Sequence, residues 1–148
     1  MKFTLATVAA LFGASALAAP TPQEGGVSPS ETIDISNLSV RKQVNGTVTN
    51  VNFRLSGDAA QNLLCEGAVG VPSNVTSCGE SKYRFSIQKG NETDYSLRIY
   101  HELGTAYGFW GQGDVFTYCH AGGLGDLLCN QVYPTSIVIS SDPLHGSL

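Results

Sequence analysis

Val115-Phe116-Thr117-Tyr118-Cys119-His120-Ala121-Gly122-Gly123-Leu124-Gly125-Asp126-Leu127-Leu128-Cys129 is the stretch whose reading decides the fold. It reads as strand, glycine-rich loop, strand. Phe116 and Tyr118 alternate with Val115, Thr117 and Cys119, the period-2 pattern of a strand with two different faces. Gly122, Gly123 and Gly125 mark a turn, because glycine adopts backbone angles that other residues avoid. Cys119 and Cys129 bracket that turn, close enough to bond in an oxidising compartment and tie the hairpin shut. No catalytic signature stands out in this stretch or elsewhere.

Short alternating strands extend upstream from this hairpin. Thr105 to Gly111 and Val115 to Cys119 are expected to flank a Gln112-Gly113 turn. Asp94 to Glu102 sets Tyr95, Leu97 and Ile99 against Ser96, Arg98 and Tyr100. Lys82 to Gln88 is the cleanest strand, with Tyr83, Phe85 and Ile87 on one face. Gln61 to Glu66 is a short strand, followed by an irregular loop from Gly67 to Thr76. Ile33 to Gln43 and Thr47 to Ser56 are joined by Val44-Asn45-Gly46-Thr47, where Asn-Gly predicts a type I′ hairpin turn. Downstream, Leu127 to Tyr133 and Thr135 to Ser140 finish the set around Pro134. Closely spaced turns without a helix-period segment predict an all-β protein, an antiparallel β-barrel or closely packed sandwich. Closure would remove the open sheet edges that invite aggregation.

The ends of the chain read differently. Residues 1–18 have the form of a secretory signal peptide: Lys2, an apolar run from Leu5 to Leu17, and Ala16-Leu17-Ala18 as a cleavage site. That run is shorter than the about 20 residues needed to span a bilayer. Residues 19–31, rich in Pro, Gly and Ser, read as a flexible arm with too little apolar surface to fold. The domain is expected over 32–141, with a tail at 142–148. Without Lys2, seven basic side chains face twelve acidic ones, a net charge of −5 with His neutral. That balance argues against nucleic acid or an anionic membrane as partner. The product is expected to be secreted and extracellular.

Four cysteines in an exported chain imply two disulfides. Three connectivities exist, and spacing favours Cys65–Cys78 and Cys119–Cys129, each closing a short loop. No C-x₂₋₄-C pair suggests a zinc site, and neither metal nor cofactor is expected.

With the cysteines in view, three segments carry a resemblance. Ser77-Cys78-Gly79-Glu80, followed by Tyr83-x-Phe85-x-Ile87, is one. Tyr118-Cys119-His120-Ala121-Gly122-Gly123, with Cys129 closing the loop, is the most specific. Ile35-Ser36 with the later Arg41-Lys42 is the third. Over roughly Ile33 to Ile139 the chain resembles the fungal secreted proteins named after the major Alternaria allergen. The resemblance implies an antiparallel β-barrel with the same two disulfides and no known enzymatic activity. It implies action by binding, to plant defence components and, in some members, to small phenolic ligands. The allergen has a further cysteine near its mature N-terminus that links two chains. Ala19 to Leu64 contains none here, so a monomer or non-covalent dimer is expected. The family's basic position after the signature cysteine is His120, whose charge depends on pH.

Candidate contact residues follow from these readings. Tyr107-Gly108-Phe109-Trp110-Gly111 holds the only tryptophan. Adjacent Phe109 and Trp110 would face opposite sides of a strand, one towards the core and one free for a partner or ligand. Arg41, Lys42 and His120 complete the set. Sequons occur at Asn37, Asn45, Asn74 and Asn91. Asn45, Asn74 and Asn91 fall in turns or loops. Asn37 shares a strand face with Ile33 and Ile35, and points inward unless a bulge intervenes. A hydrolase would need His101 or His120 paired with a carboxylate in a cleft, and a carrier would need a sizeable apolar pocket. The expected function is that of a secreted effector or elicitor that binds a host extracellular protein without catalysis. The alternatives are a carrier of a small apolar or phenolic ligand and, less favoured, a small hydrolase.

Overall fold

The computed structural model describes residues 28–141. The expected signal peptide, most of the expected arm and the expected tail lie outside them. Ten strands and no helix occur among the described residues. They are β1 (Ser30–Lys42), β2 (Val48–Gly57), β3 (Ala60–Glu66), β4 (Thr76–Ser77), β5 (Tyr83–Gln88), β6 (Tyr95–Gly104), β7 (Tyr107–Val115), β8 (Thr117–Ala121), β9 (Leu127–Gln131) and β10 (Thr135–Ser140). The main path runs β3-β2-β1-β10-β7-β6-β5-β4, every pairing antiparallel. The sheet curls into a nearly closed barrel, and the Cys65–Cys78 disulfide joins β3 to the end of β4, with Cα atoms 4.3 Å apart. The second disulfide links Cys119 and Cys129, directly opposed on β8 and β9.

β1 is the hub. Its first half pairs with β10 and its second half with β9, while β2 runs along the other edge. Ile33 and Ile35 point inward, and so do Leu38 and Val40. Keeping both pairs inside requires a one-residue change of parity, because side chains alternate along a strand. The bulge lies between Ser36 and Ser39, where Asn37 adopts a left-handed φ of 56°. The Gln131 amide bridges this gap: it accepts from Leu38 N–H at 3.0 Å and donates to the Ile35 carbonyl at 3.1 Å. Asn37 is therefore exposed rather than inward.

Three expectations need correction. First, no turn forms at Gln112-Gly113, since β7 runs unbroken through Gly111 and Gly113. These glycines serve close approach instead: a Cβ on Gly111 would lie 2.3 Å from the Val138 carbonyl oxygen, and one on Gly113 would lie 2.9 Å from Ile137. Second, the Asn45-Gly46 turn is not type I′. Only Gly46 in that turn has positive φ, at 86°. Gly46 N–H donates to Gln43 O at 2.8 Å, and Gln43 N–H donates to Thr47 O at 2.9 Å. This is a type I turn closed by a left-handed glycine bulge. Third, the first strand starts at Ser30, inside the stretch read as arm, because Glu31 is buried.

The core is aliphatic with an aromatic centre. Ile33, Ile35, Val40, Val51, Leu55, Ile87, Leu97, Ile99 and Ile139 are fully buried, and Phe53 and Phe85 pack edge to face at 4.9 Å. The aromatics of the deciding hairpin face outward, with Phe116 and Tyr118 exposed and Val115 buried.

Candidate functional site: an aromatic groove over a buried carboxylate cluster

The pairing of β5, β6 and β7 places Arg84, Tyr100 and Trp110 side by side, because Tyr100 is in register with both of the others. Residues directly opposite in neighbouring strands share a sheet face. This row lines an open groove of about 530 Å³, together with Lys82, Glu102, Tyr107, Phe109 and, from the loop before β4, Val75. Gly108 permits its shape, since a Cβ there would sit 2.4 Å from the His101 carbonyl oxygen. Tyr107 and Phe109 meet edge to face at 6.1 Å. Arg98 stands over the Trp110 ring at 5.3 Å, held by two hydrogen bonds to the Gln112 side-chain carbonyl. Arg84 pairs with Glu102 at 3.1 Å, with both side chains about half exposed.

His101 also lines this groove, although its side chain is only 6% exposed. Its Nδ1 lies 2.6 Å from Glu31 Oε2. The other Glu31 oxygen accepts from the Tyr83 hydroxyl and, at 2.8 Å, from Asp58 N–H. The Tyr83 hydroxyl in turn accepts from Ala59 N–H at 3.1 Å, and its ring stacks on His101 at 4.1 Å. Burial first, and then the hydrogen bond to Glu31, hold the Tyr83 phenol well above the usual tyrosine range. Tyr83 is therefore a neutral donor at physiological pH. Gly57 makes room for the cluster, as its Cβ would fall 2.5 Å from Glu31 Oε1.

The six contact candidates separate. Tyr107, Phe109 and Trp110 share the groove. Arg41 and His120 lie on another face, in register with Leu128 from its two sides. Arg41 there helps line a polar depression of about 300 Å³ with Ser39, Asn50 and Asn52. Lys42 sits over the Tyr95 ring at 5.9 Å. The sequon residues Asn37, Asn45, Asn74 and Asn91 are all exposed. Among the described residues no cluster of His, Cys, Asp or Glu is arranged to hold a metal. Sequence reasoning missed Glu31 and its cluster. The signal was its parity, two and four residues before the inward Ile33 and Ile35.

Fold and groove together define a class: a small antiparallel β-barrel, stapled by two disulfides, that presents an open aromatic and basic surface. The chain belongs to the Alternaria alternata allergen 1 family, which matches it over residues 35–129. It is similar to the Effector protein PevD1 of Verticillium dahliae, 56% identical over 149 positions that cover 97% of this chain and 96% of that protein. Two crystal structures of the Alternaria alternata major allergen Alt a 1 share its fold. One has a TM-score of 0.60 at 21% identity, covering 76% of this chain and 94% of the allergen chain. The other has a TM-score of 0.59 at 20% identity, covering 86% and 98%.

Proposed function

We propose that this protein is an exported fungal effector that binds a component of the host plant's extracellular defence without catalysis, using the groove of β5 to β7. The observation that carries this reading is the row Arg84-Tyr100-Trp110, flanked by Tyr107 and Phe109. Tyr, Trp and Arg dominate the energetics of protein interfaces, because they combine large contact area with a polar tip. The resemblance to a relative named as an effector points the same way.

A hydrolytic role would use His101, which does have a carboxylate partner. That pair is structural in this reading. Glu31 is committed to three contacts, from the Tyr83 hydroxyl, Asp58 N–H and His101, and the His101 ring is stacked on Tyr83. The carrier reading is favoured by one observation: the groove volume falls within the about 300–1,000 Å³ of small-molecule sites.

The test immobilises the oxidised chain from residue 19 onward and exposes it to apoplastic extract. The expected result is capture of one host protein, lost in Trp110→Ala and in Arg84→Ala and retained in Arg41→Ala. Capture that ignores Trp110 and Arg84 would overturn the assignment to this groove. Failure to retain any protein, together with saturable quenching of Trp110 by a phenolic compound, would move the assignment to the carrier.

A further inference from the structure

Asn74-Val75-Thr76 is an N-glycosylation sequon whose middle residue, Val75, lines the groove. Asn74 is exposed, and its neighbour Val75 lines the groove wall. The loop that carries them is pinned. Ser73 N–H donates to the Ile87 carbonyl at 2.9 Å, and Ile87 N–H donates back to Ser73 Oγ at 3.0 Å. Thr76 begins the pairing with β5 opposite Phe85, and Cys78 is tied to Cys65. The backbone that carries Asn74, and with it the attachment point, therefore keeps its place relative to the groove.

We infer that Asn74 carries an N-linked glycan that stands at the rim of the groove and screens it. The second half of this inference rests on the binding reading above. In the transfer, the Asn74 side-chain nitrogen attacks the anomeric carbon of an oligosaccharide linked to a lipid diphosphate. An N–C bond forms, the bond from the anomeric carbon to the diphosphate oxygen breaks, the lipid diphosphate leaves, and the amide nitrogen gives up one proton. The transfer acts on the chain during export, before folding hides any sequon, and the fold has to accommodate only the product. Asn74 meets that condition, since its exposed side chain leaves the core untouched.

Reach supports the screening. Ser77, Arg84, Tyr100 and Trp110 are successive register partners across β4 to β7. Three strand spacings of about 4.8 Å put the far wall about 14 Å from β4. A high-mannose glycan is longer than this, so one attached beside Val75 sweeps the whole opening. The other sequons are not neighbours of a residue that lines the groove: Asn37 is at the β1 bulge, Asn45 in the β1–β2 turn and Asn91 in the β5–β6 loop. Asn74 alone couples the modification to the groove.

Trp110, the only tryptophan and part of the groove wall, is a built-in reporter. The full chain is passed through the secretory route of a glycosylating yeast and recovered from the medium. Peptide masses before and after peptide N-glycosidase treatment give occupancy at each sequon. Quenching of Trp110 emission by iodide and by a nitroxide-labelled dextran reports access for small and large molecules. We expect Asn74 occupied, and dextran quenching several-fold stronger after deglycosylation and in Asn74→Gln, with iodide quenching little changed. Thr76→Ala removes the sequon without altering Asn74 and gives the same result if the Gln variant folds poorly. Asn45 occupied with Asn74 bare overturns the inference, as does an occupied Asn74 with equal dextran quenching in all forms. Neither readout uses a partner, so failure of the binding reading leaves both unaffected.

Discussion

Two carboxylate pairs lie close together in this barrel and behave oppositely. Glu102 pairs with Arg84 on the groove wall, with both side chains about half in solvent. Glu31 pairs with His101 beneath the groove, with side chains 1% and 6% exposed. Both are direct contacts, at 3.1 Å and 2.6 Å, yet the surroundings decide what each contributes. In water, attraction is screened, and holding two long side chains together costs entropy, so an exposed pair contributes about 0–1 kcal/mol. In the interior, desolvation must be offset by further hydrogen bonds. Glu31 has them, from the Tyr83 hydroxyl and Asp58 N–H. One pair is available to a partner, and the other fixes the floor on which the first stands.

The largest predicted effect follows from breaking the buried pair. Glu31→Ala leaves the Tyr83 hydroxyl, the Asp58 N–H and His101 Nδ1 without their acceptor. Each buried donor left without its acceptor costs about 1–3 kcal/mol, so the loss should exceed that of any single hydrogen bond. Urea unfolding of the oxidised protein should show a lower midpoint at unchanged slope. A loss below about 1 kcal/mol would mean that water replaces the carboxylate and that the cluster fixes nothing.

Gly57→Ala attacks the same cluster by volume. The added methyl would lie 2.5 Å from Glu31 Oε1, 2.7 Å from Ile33 Cδ1 and 2.9 Å from the Tyr83 hydroxyl. Overpacking of this kind costs about 1–3 kcal/mol. The loss should shrink in the Tyr83→Phe background, where the crowded hydroxyl is absent. Equal losses in both backgrounds would show that the clash is with the Glu31 carboxylate and Ile33 instead.

The contrast between the two pairs also marks what the sequence made legible. Strand alternation and turn residues were enough for the all-β class, and cysteine spacing was enough for both disulfides. The chemistry of the floor was not legible, because Glu31 sits in a Pro- and Ser-rich context that hides its parity with Ile33 and Ile35. Its partners are 52 and 70 residues away, and nothing local announces them. Gly111 and Gly113 misled for a related reason. Glycine signals either a turn or a close approach of another strand, and only the crossing of β10 decides between them. The groove was half legible: Tyr107, Phe109 and Trp110 stood out as an aromatic cluster, whereas Arg84 joined them only through strand register.

Tyr83→Phe sharpens the comparison through pH. The substitution removes one hydrogen bond to the buried carboxylate, for a loss of about 1–3 kcal/mol at neutral pH. The phenol's value is raised in the folded state above the ordinary 10.0. The folded state therefore holds its proton more tightly than the unfolded state does. The contribution is fully present below about pH 10 and is lost as pH rises towards the folded value, at up to about 1.4 kcal/mol per pH unit. The wild-type stability curve should fall more steeply above pH 10 than that of Tyr83→Phe. Parallel curves would show that Tyr83 ionises as an exposed tyrosine does.

The smallest effect on stability belongs to the exposed pair, and it discriminates best for function. Arg84→Ala should cost less than about 1 kcal/mol in unfolding, because both partners stay hydrated when separated. A partner that covers the groove would change this. Once Arg84 and Glu102 are desolvated together, truncating one side leaves the other charge buried and unpaired. The loss of binding should then exceed the loss of stability several-fold, and Glu102→Ala should lose binding comparably. Glu102→Ala with unchanged binding would instead show that the guanidinium meets an acceptor on the partner directly, and that Glu102 serves only to orient it. Either result keeps Arg84 in the interface. Only binding that is indifferent to Arg84 would return the pair to the status of ordinary surface charges.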